Sequence, residues 1–137
     1  MKIVEKDGKR LVFDIIRKKY VVLTPEEEVR QQVIHWMIEK LNYPKASISV
    51  EKTFHFNERR KRYDIVVYKD AQPWLLVECK SEKVKLDQGT FEQAGYYNLE
   101  LNVPYLFITN GIRHFVLEIN KDKPSVTFLS EMPAYRI

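Results

Sequence analysis

Cysteine occurs once in the 137 residues, at Cys79, and glycine only four times. A single cysteine excludes an internal disulfide, and His35, His55 and His114 show no zinc-ligand spacing. No apolar run nears the roughly 20 residues needed to cross a bilayer, and the N-terminus carries no signal-peptide pattern. A phosphate-binding loop of the form Gly-x4-Gly-Lys-Ser/Thr is also missing, so ATP-driven translocation does not reside in this sequence. Nor is there an internal repeat, a low-complexity tract or a linker. A cytoplasmic protein without membrane contact is the resulting expectation.

What the chain does have is the composition of a globular domain: 45% hydrophobic and 31% charged residues. Its length predicts one domain over 1–137, with N-terminal strands at 1–23, a core at 24–119, and an edge strand and tail at 120–137. Lys and Arg total 23 against 19 acids, a net charge of +4. That balance is compatible with a polyanionic partner and too mild to establish one.

Periodicity supplies the elements. Ile3-Val4 and Leu11-Val12-Phe13 flank Asp7-Gly8, a hairpin signal, and Tyr20 to Leu23 continues in extended form. Arg17-Lys18-Lys19 reads as a solvated turn. Thr24-Pro25-Glu26-Glu27 starts a helix: Thr24 caps, Pro25 takes the first turn, and Glu27 completes a capping box. Val29, Val33, Trp36, Met37 and Leu41 make its apolar face, with Ile34 at the edge. Glu26 falls toward the centre of that face, Glu27 at its margin and Glu28 toward solvent. Strands are predicted over Ser47–Phe56, Arg62–Tyr68, Pro73–Lys80, Val103–Thr109, His114–Ile119 and Val126–Leu129. The basic run Asn57 to Arg62 reads as a turn, and a second helix covers about Thr90 to Glu100. Pro133 onward reads as a tail. This order predicts an α/β (α+β) domain, a central mixed sheet flanked by helices, with an N-terminal β-hairpin extension.

The chemistry concentrates in two neighbouring strands, each charged where an apolar residue is expected. Glu78 and Lys80 are two apart and share a strand face, while Cys79 faces away as a small core residue. Paired as a hairpin, the strands bring Asp64 to Glu78 and Lys80. Carboxylates with an adjacent lysine suit Mg²⁺-assisted phosphodiester hydrolysis: the cation keeps waters in its shell, and the lysine orients the attacking water or stabilises the phosphate. A salt-bridge cluster at a strand end uses the same residues without any catalysis. Arg59-Arg60-Lys61-Arg62, just upstream, serves either as a phosphate grip or as a solvated hairpin tip.

At the level of motifs, Thr24-Pro-Glu-Glu-x-Val-Arg-Gln31, Arg62-x-Asp-Ile-Val-Val67, Leu76-Val-Glu-Cys-Lys80, Gln93-x-x-x-Tyr97, Val103-Pro-Tyr-Leu106 and Thr109-Asn-Gly111 resemble the N-terminal nuclease domain of type I restriction enzyme R subunits. That family is a branch of the PD-(D/E)XK nuclease superfamily, and the similarity runs from about Val21 to Pro133. The resemblance implies a restriction-endonuclease-like core. It implies Asp64 and Glu78 as Mg²⁺ ligands, with Mn²⁺ able to substitute, and Lys80 as the catalytic lysine. Gln93 joins them as a catalytic-site residue and Tyr97 as a DNA-binding one, although Thr90-x-x-Gln93 also reads as a capping box and Tyr97 as packing. Glu27 is the favoured further metal ligand, with the choice between Glu26 and Glu27 left open. The implied activity is a Mg²⁺-dependent DNA endonuclease lacking the helicase motor of a whole R subunit. It would act alone or with a separate motor or specificity subunit. The alternatives are a non-catalytic nucleic-acid-binding module and an assembly module of the same fold.

Overall fold

The structure is a computed structural model that describes residues 1–120 and 125–136, with all their side chains except those of Tyr97 and Leu99. Asp7 and Gly8 both take left-handed backbone (φ 53° and 76°), the geometry of a two-residue hairpin turn whose twist matches its strands. The turn joins β1 (Ile3–Lys6) to β2 (Lys9–Asp14), and β3 (Lys19–Val22) adds to β2, giving a small antiparallel sheet in the order β1-β2-β3. The predicted hairpin extension is therefore a three-stranded sheet.

Helix α1 (Pro25–Glu39) starts where the sequence places it, with Pro25 in the first turn and the Glu27 amide donating to Thr24 Oγ1 at 3.1 Å. The reciprocal half of the capping box is not made, because the Glu27 carboxylate is occupied elsewhere. The Thr24 amide donates to the Val22 carbonyl instead. Val29, Val33, Ile34 and Met37 are buried as a stripe, whereas Trp36 is at the surface with its ring 5.6 Å from that of Phe107. Among the helix acids Glu27 is buried and Glu26 exposed, the reverse of the expectation from apolar periodicity. The buried arc also takes in Arg30 and Gln31, so its centre is rotated toward the charged side.

After a short 3-10 turn come β4 (Ile48–Phe56), β5 (Arg59–Lys69) and β6 (Gln72–Cys79), then α2 (Gln88–Leu101), β7 (Tyr105–Thr109), β8 (His114–Asn120) and β9 (Ser125–Leu129). These six strands form one sheet in chain order, antiparallel except for the β6–β7 pair, which is parallel with α2 as its crossover. The central strand β6 is buried on both faces, with Leu75, Leu76 and Val77 fully enclosed. Val33, Ile34 and Met37 of α1 pack with Ile65, Val67, Val77 and Cys79 on one face; Ala94 and Leu101 of α2 pack with Tyr63, Val66, Leu76 and Ile108 on the other. Among the described residues no helix is long and apolar enough to cross a membrane.

Three local readings change. The turn expected over 57–62 is only Asn57-Glu58, and the basic residues belong to β5, paired through Arg59–Phe56 to Arg62–Thr53. Helix α2 begins at Gln88, because Asp87 caps it and exchanges bonds with Thr90. The C-terminal segment is tied down: the Tyr43 hydroxyl donates to the Pro133 carbonyl at 2.6 Å, and Tyr135 donates to the Tyr68 carbonyl at 3.0 Å.

Candidate functional site

The face alternation of β4 and β5 breaks at one point. Ile48 and Val50 pack toward α1, yet Phe54 and Phe56, of the same parity, pack toward α2. On β5, Ile65 and Val67 face α1 while Tyr63 faces α2. Glu51 lies at the reversal, with left-handed backbone (φ 52°) in the middle of a strand. That conformation costs a non-glycine residue about 1 kcal/mol or more. By register Asp64 falls opposite Glu51 on one side, and one step beyond the Ile65–Val77 pair it falls opposite Glu78 on the other. Three acids on adjacent strands thus lie in one row.

The β5–β6 ladder stops at this row, and a side chain takes over. Asp64 Oδ2 accepts from the Cys79 amide at 2.8 Å, while Oδ1 accepts from the Arg30 guanidinium at 3.0 Å. The carboxylate is therefore held by one donor on each oxygen. Lys80 follows directly, its amide bonded to the Thr109 carbonyl at 2.9 Å, which fixes it at the carboxyl end of the parallel pair. Glu78 is half-buried between these groups. Burial, then the charge of Asp64 and, further down, that of Glu26, push its carboxyl up to about 8, against a smaller opposing pull from Lys80 and Arg30. Cys79 is fully enclosed and its thiol pushed well up by burial, consistent with a core residue.

Register thus sets Asp64 beside Glu78 on the neighbouring strand, with Lys80 two residues further along the chain. Glu27 sits on the far side of Arg30. Its Oε1 accepts from Arg17 at 2.8 Å and from Arg30 at 3.1 Å, and its Oε2 from Gln31 at 3.2 Å. The exposed Glu26 is the helix acid whose charge bears on Glu78. Gln93 is exposed on α2 and its side chain makes no hydrogen bond among the described residues; the side chain of Tyr97 lies outside them. The basic run divides by strand parity. Arg59 and Lys61 pair with Glu100 of α2, Lys61 also lying 4.8 Å over the Tyr96 ring. Arg60 and Arg62 are exposed on the other face, Arg62 3.9 Å from Glu51.

The sequence reading missed Asp14, Arg17 and Glu51. Asp14 is fully buried; it accepts from Arg17 Nε at 2.7 Å and from Gln31 at 2.9 Å. Burial would raise its carboxyl, but the hydrogen bonds from Arg17 and Gln31 outweigh that and hold it below the ordinary range. Glu51 is lowered on the same balance, burial being overcome chiefly by Arg30. One signal for Asp14 was available, since it shares strand parity with the core residue Val12. Arg17 and Glu51, with Glu26, Glu27, Arg30 and Asp64, line a polar cleft of about 480 Å³ between the small sheet and the core.

A divalent cation can be tested against this donor set. Among the described residues no three His, Cys, Asp or Glu side chains lie close enough to hold a metal ion. Two carboxylates do converge, and burial together with the charge of Asp64 raises the Glu78 carboxyl, a setting that a cation would ease. Mg²⁺ bound by one or two carboxylates with water at its other positions fits such a pair.

An α+β domain with an acidic pair and a lysine at the end of a parallel strand pair is the class that fold and site define. Residues 25–133 match the family described as the type I restriction enzyme R protein N terminus, and the chain belongs to that family. A fragment structure described as that of an HsdR subunit of a type I restriction enzyme from Vibrio vulnificus YJ016 has a similar fold. Its TM-score is 0.56 at 24% identity, over 82% of this chain and 24% of that one. This chain thus spans about a quarter of that relative's length. No curated protein matches it.

Proposed function

We propose that this domain hydrolyses DNA phosphodiesters in a Mg²⁺-dependent reaction, as the cutting part of a type I restriction R subunit or of a relative of one. The observation that carries this reading is the convergence of Asp64, Glu78 and Lys80 at the end of β6, with the Glu78 carboxyl pushed up to about 8 by its setting. Asp64 and Glu78 would hold the cation, leaving water at its other positions. When bound, Mg²⁺ supplies an acidified water and neutralises charge on the scissile phosphate. Lys80 lies beside them to orient that water or to stabilise the charge that builds on the phosphate. Arg60 and Arg62, on the face away from α2, are the basic residues left to grip the DNA backbone, a contact that positions without reading sequence. Gln93 and Tyr97 on α2 would meet the DNA beside the site. Glu27 acts here as a counter-ion for two arginines rather than as a metal ligand, and Glu26 is the helix acid that remains toward the metal. Targeting would come from a separate motor or specificity subunit, and the setting would be the cytoplasm.

A second reading is a DNA-binding module that does not cut. The hydrogen bond from Arg30 to Asp64 favours it, because a guanidinium already neutralises the acid a metal would use. Incubation of supercoiled and branched DNA with the protein in Mg²⁺ or Mn²⁺, beside Lys80→Ala, separates the two. Metal-dependent cutting that falls at least a hundredfold in Lys80→Ala is the expected result. Binding without cutting in either metal selects the second reading.

A further inference from the structure

Asp64 is held through a chain of charges that reaches outside the family's matched segment. Arg30 is buried, and its two terminal nitrogens divide the work. Nη2 donates to Asp64, while Nη1 donates to Glu27 at 3.1 Å and to Glu51 at 3.0 Å. Arg17, from the turn between β2 and β3, reaches the same two oxygens. Its Nη2 lies 2.8 Å from Glu27 Oε1, and its Nη1 lies 3.7 Å from Glu51 Oε1. Arg17 is in turn fixed by the fully buried Asp14 through Nε and its own backbone amide, both at 2.7 Å. The relay therefore runs from Asp14 to Arg17, through the shared Glu27 and Glu51, to Arg30 and Asp64. The family match begins at residue 25, after the small sheet has ended.

We propose that Arg17 and Arg30 form a two-guanidinium brace that positions Asp64 to act with Glu78, so that the β1–β3 sheet is a working part of the site. The chemistry suits the task. A planar guanidinium offers several donors in a fixed fork, which a lysine of equal charge cannot reproduce. Arg30 satisfies three carboxylates at once, and without Arg17 the shared oxygens of Glu27 and Glu51 would draw it away from Asp64. The partners of Arg17 are Asp14, Glu27 and Glu51 rather than Asp64 or Glu78, so it is a positioning residue. Groups of this kind behind a metal site typically alter metal affinity by about 10- to 100-fold. The proposal rests on the metal-site reading above for its metal readout alone.

The test uses the full chain carrying Arg17→Lys, Arg17→Met or Arg30→Lys, each also combined with Asp64→Asn. Two measurements are made: Mn²⁺ binding by calorimetry, and the NMR shift of the Cys79 amide in metal-free protein, which reports its bond to Asp64. The brace requires Arg17→Met to weaken Mn²⁺ binding about tenfold and to move the Cys79 amide toward its position in Asp64→Asn. Arg17→Lys should rescue little of either effect. In the Asp64→Asn background the Arg17 changes should do nothing further to either readout. The same effects in both backgrounds, or an unmoved Cys79 amide in folded Arg17→Met and Arg30→Lys, would overturn the brace. If the wild type binds no Mn²⁺, the metal-site reading fails and the Cys79 amide still decides the brace.

Discussion

Replacing Glu78 by Gln removes a titration that the fold resists. The Glu78 carboxyl ionises at about 8 in the folded protein against an ordinary value of 4.5. Below pH 4.5 the group is protonated in both states, and its neutral form contributes fully to stability. Between 4.5 and 8 the unfolded chain releases this proton and the folded chain keeps it, so stability falls as pH rises. The slope is about 1.4 kcal/mol per pH decade. Above 8 the loss is complete, on the order of 5 kcal/mol. Gln stays neutral throughout. Urea unfolding in EDTA should therefore show Glu78→Gln and wild type close together near pH 4.5. The variant should then pull ahead until the gap levels off near pH 8.5. Because every other titrating group is common to both proteins, the pH dependence of the gap isolates this one. A constant gap from pH 5 to 9 would refute the raised titration of Glu78 and remove that support for the proposed metal site.

Two backbone positions give independent checks. Gly111 has φ 90°, and an added Cβ would come within 3.2 Å of Val29 Cγ2, so Gly111→Ala should cost about 1–3 kcal/mol in urea unfolding. Asp70 and Ala71 turn β5 into β6 with φ 52° and 62°, a turn that favours glycine, so Ala71→Gly should raise stability by about 0.5–1 kcal/mol without altering metal binding.

The acidic pair was legible because strand alternation is a short-range rule. Glu78 and Lys80 needed only parity, and Asp64 needed only the hairpin that joins its strand to theirs. The brace was hidden because it depends on side chains brought together from four separate elements. Arg17 sits among two other basic residues and carries the signature of a solvated turn, yet Asp14 folds it inward. Glu51 interrupts β4 with left-handed backbone that no residue preference announces, and the reversal it marks places Asp64 beside α1. On α1, apolar periodicity put Glu26 inward and Glu27 at the margin. Two arginines and a glutamine reverse that by making the buried position of Glu27 the better-solvated one for a charge. Hydrophobic patterning locates a core well, but it has no term for a buried ionic network.

Asp64 and Glu78 are the two carboxylates proposed to share one divalent cation. Crystals soaked in Mn²⁺ and measured at its absorption edge answer this directly. An anomalous peak bonded to both carboxylates, with water at the remaining positions, is the expected result. Carboxylates that turn apart with no peak between them would contradict that sharing.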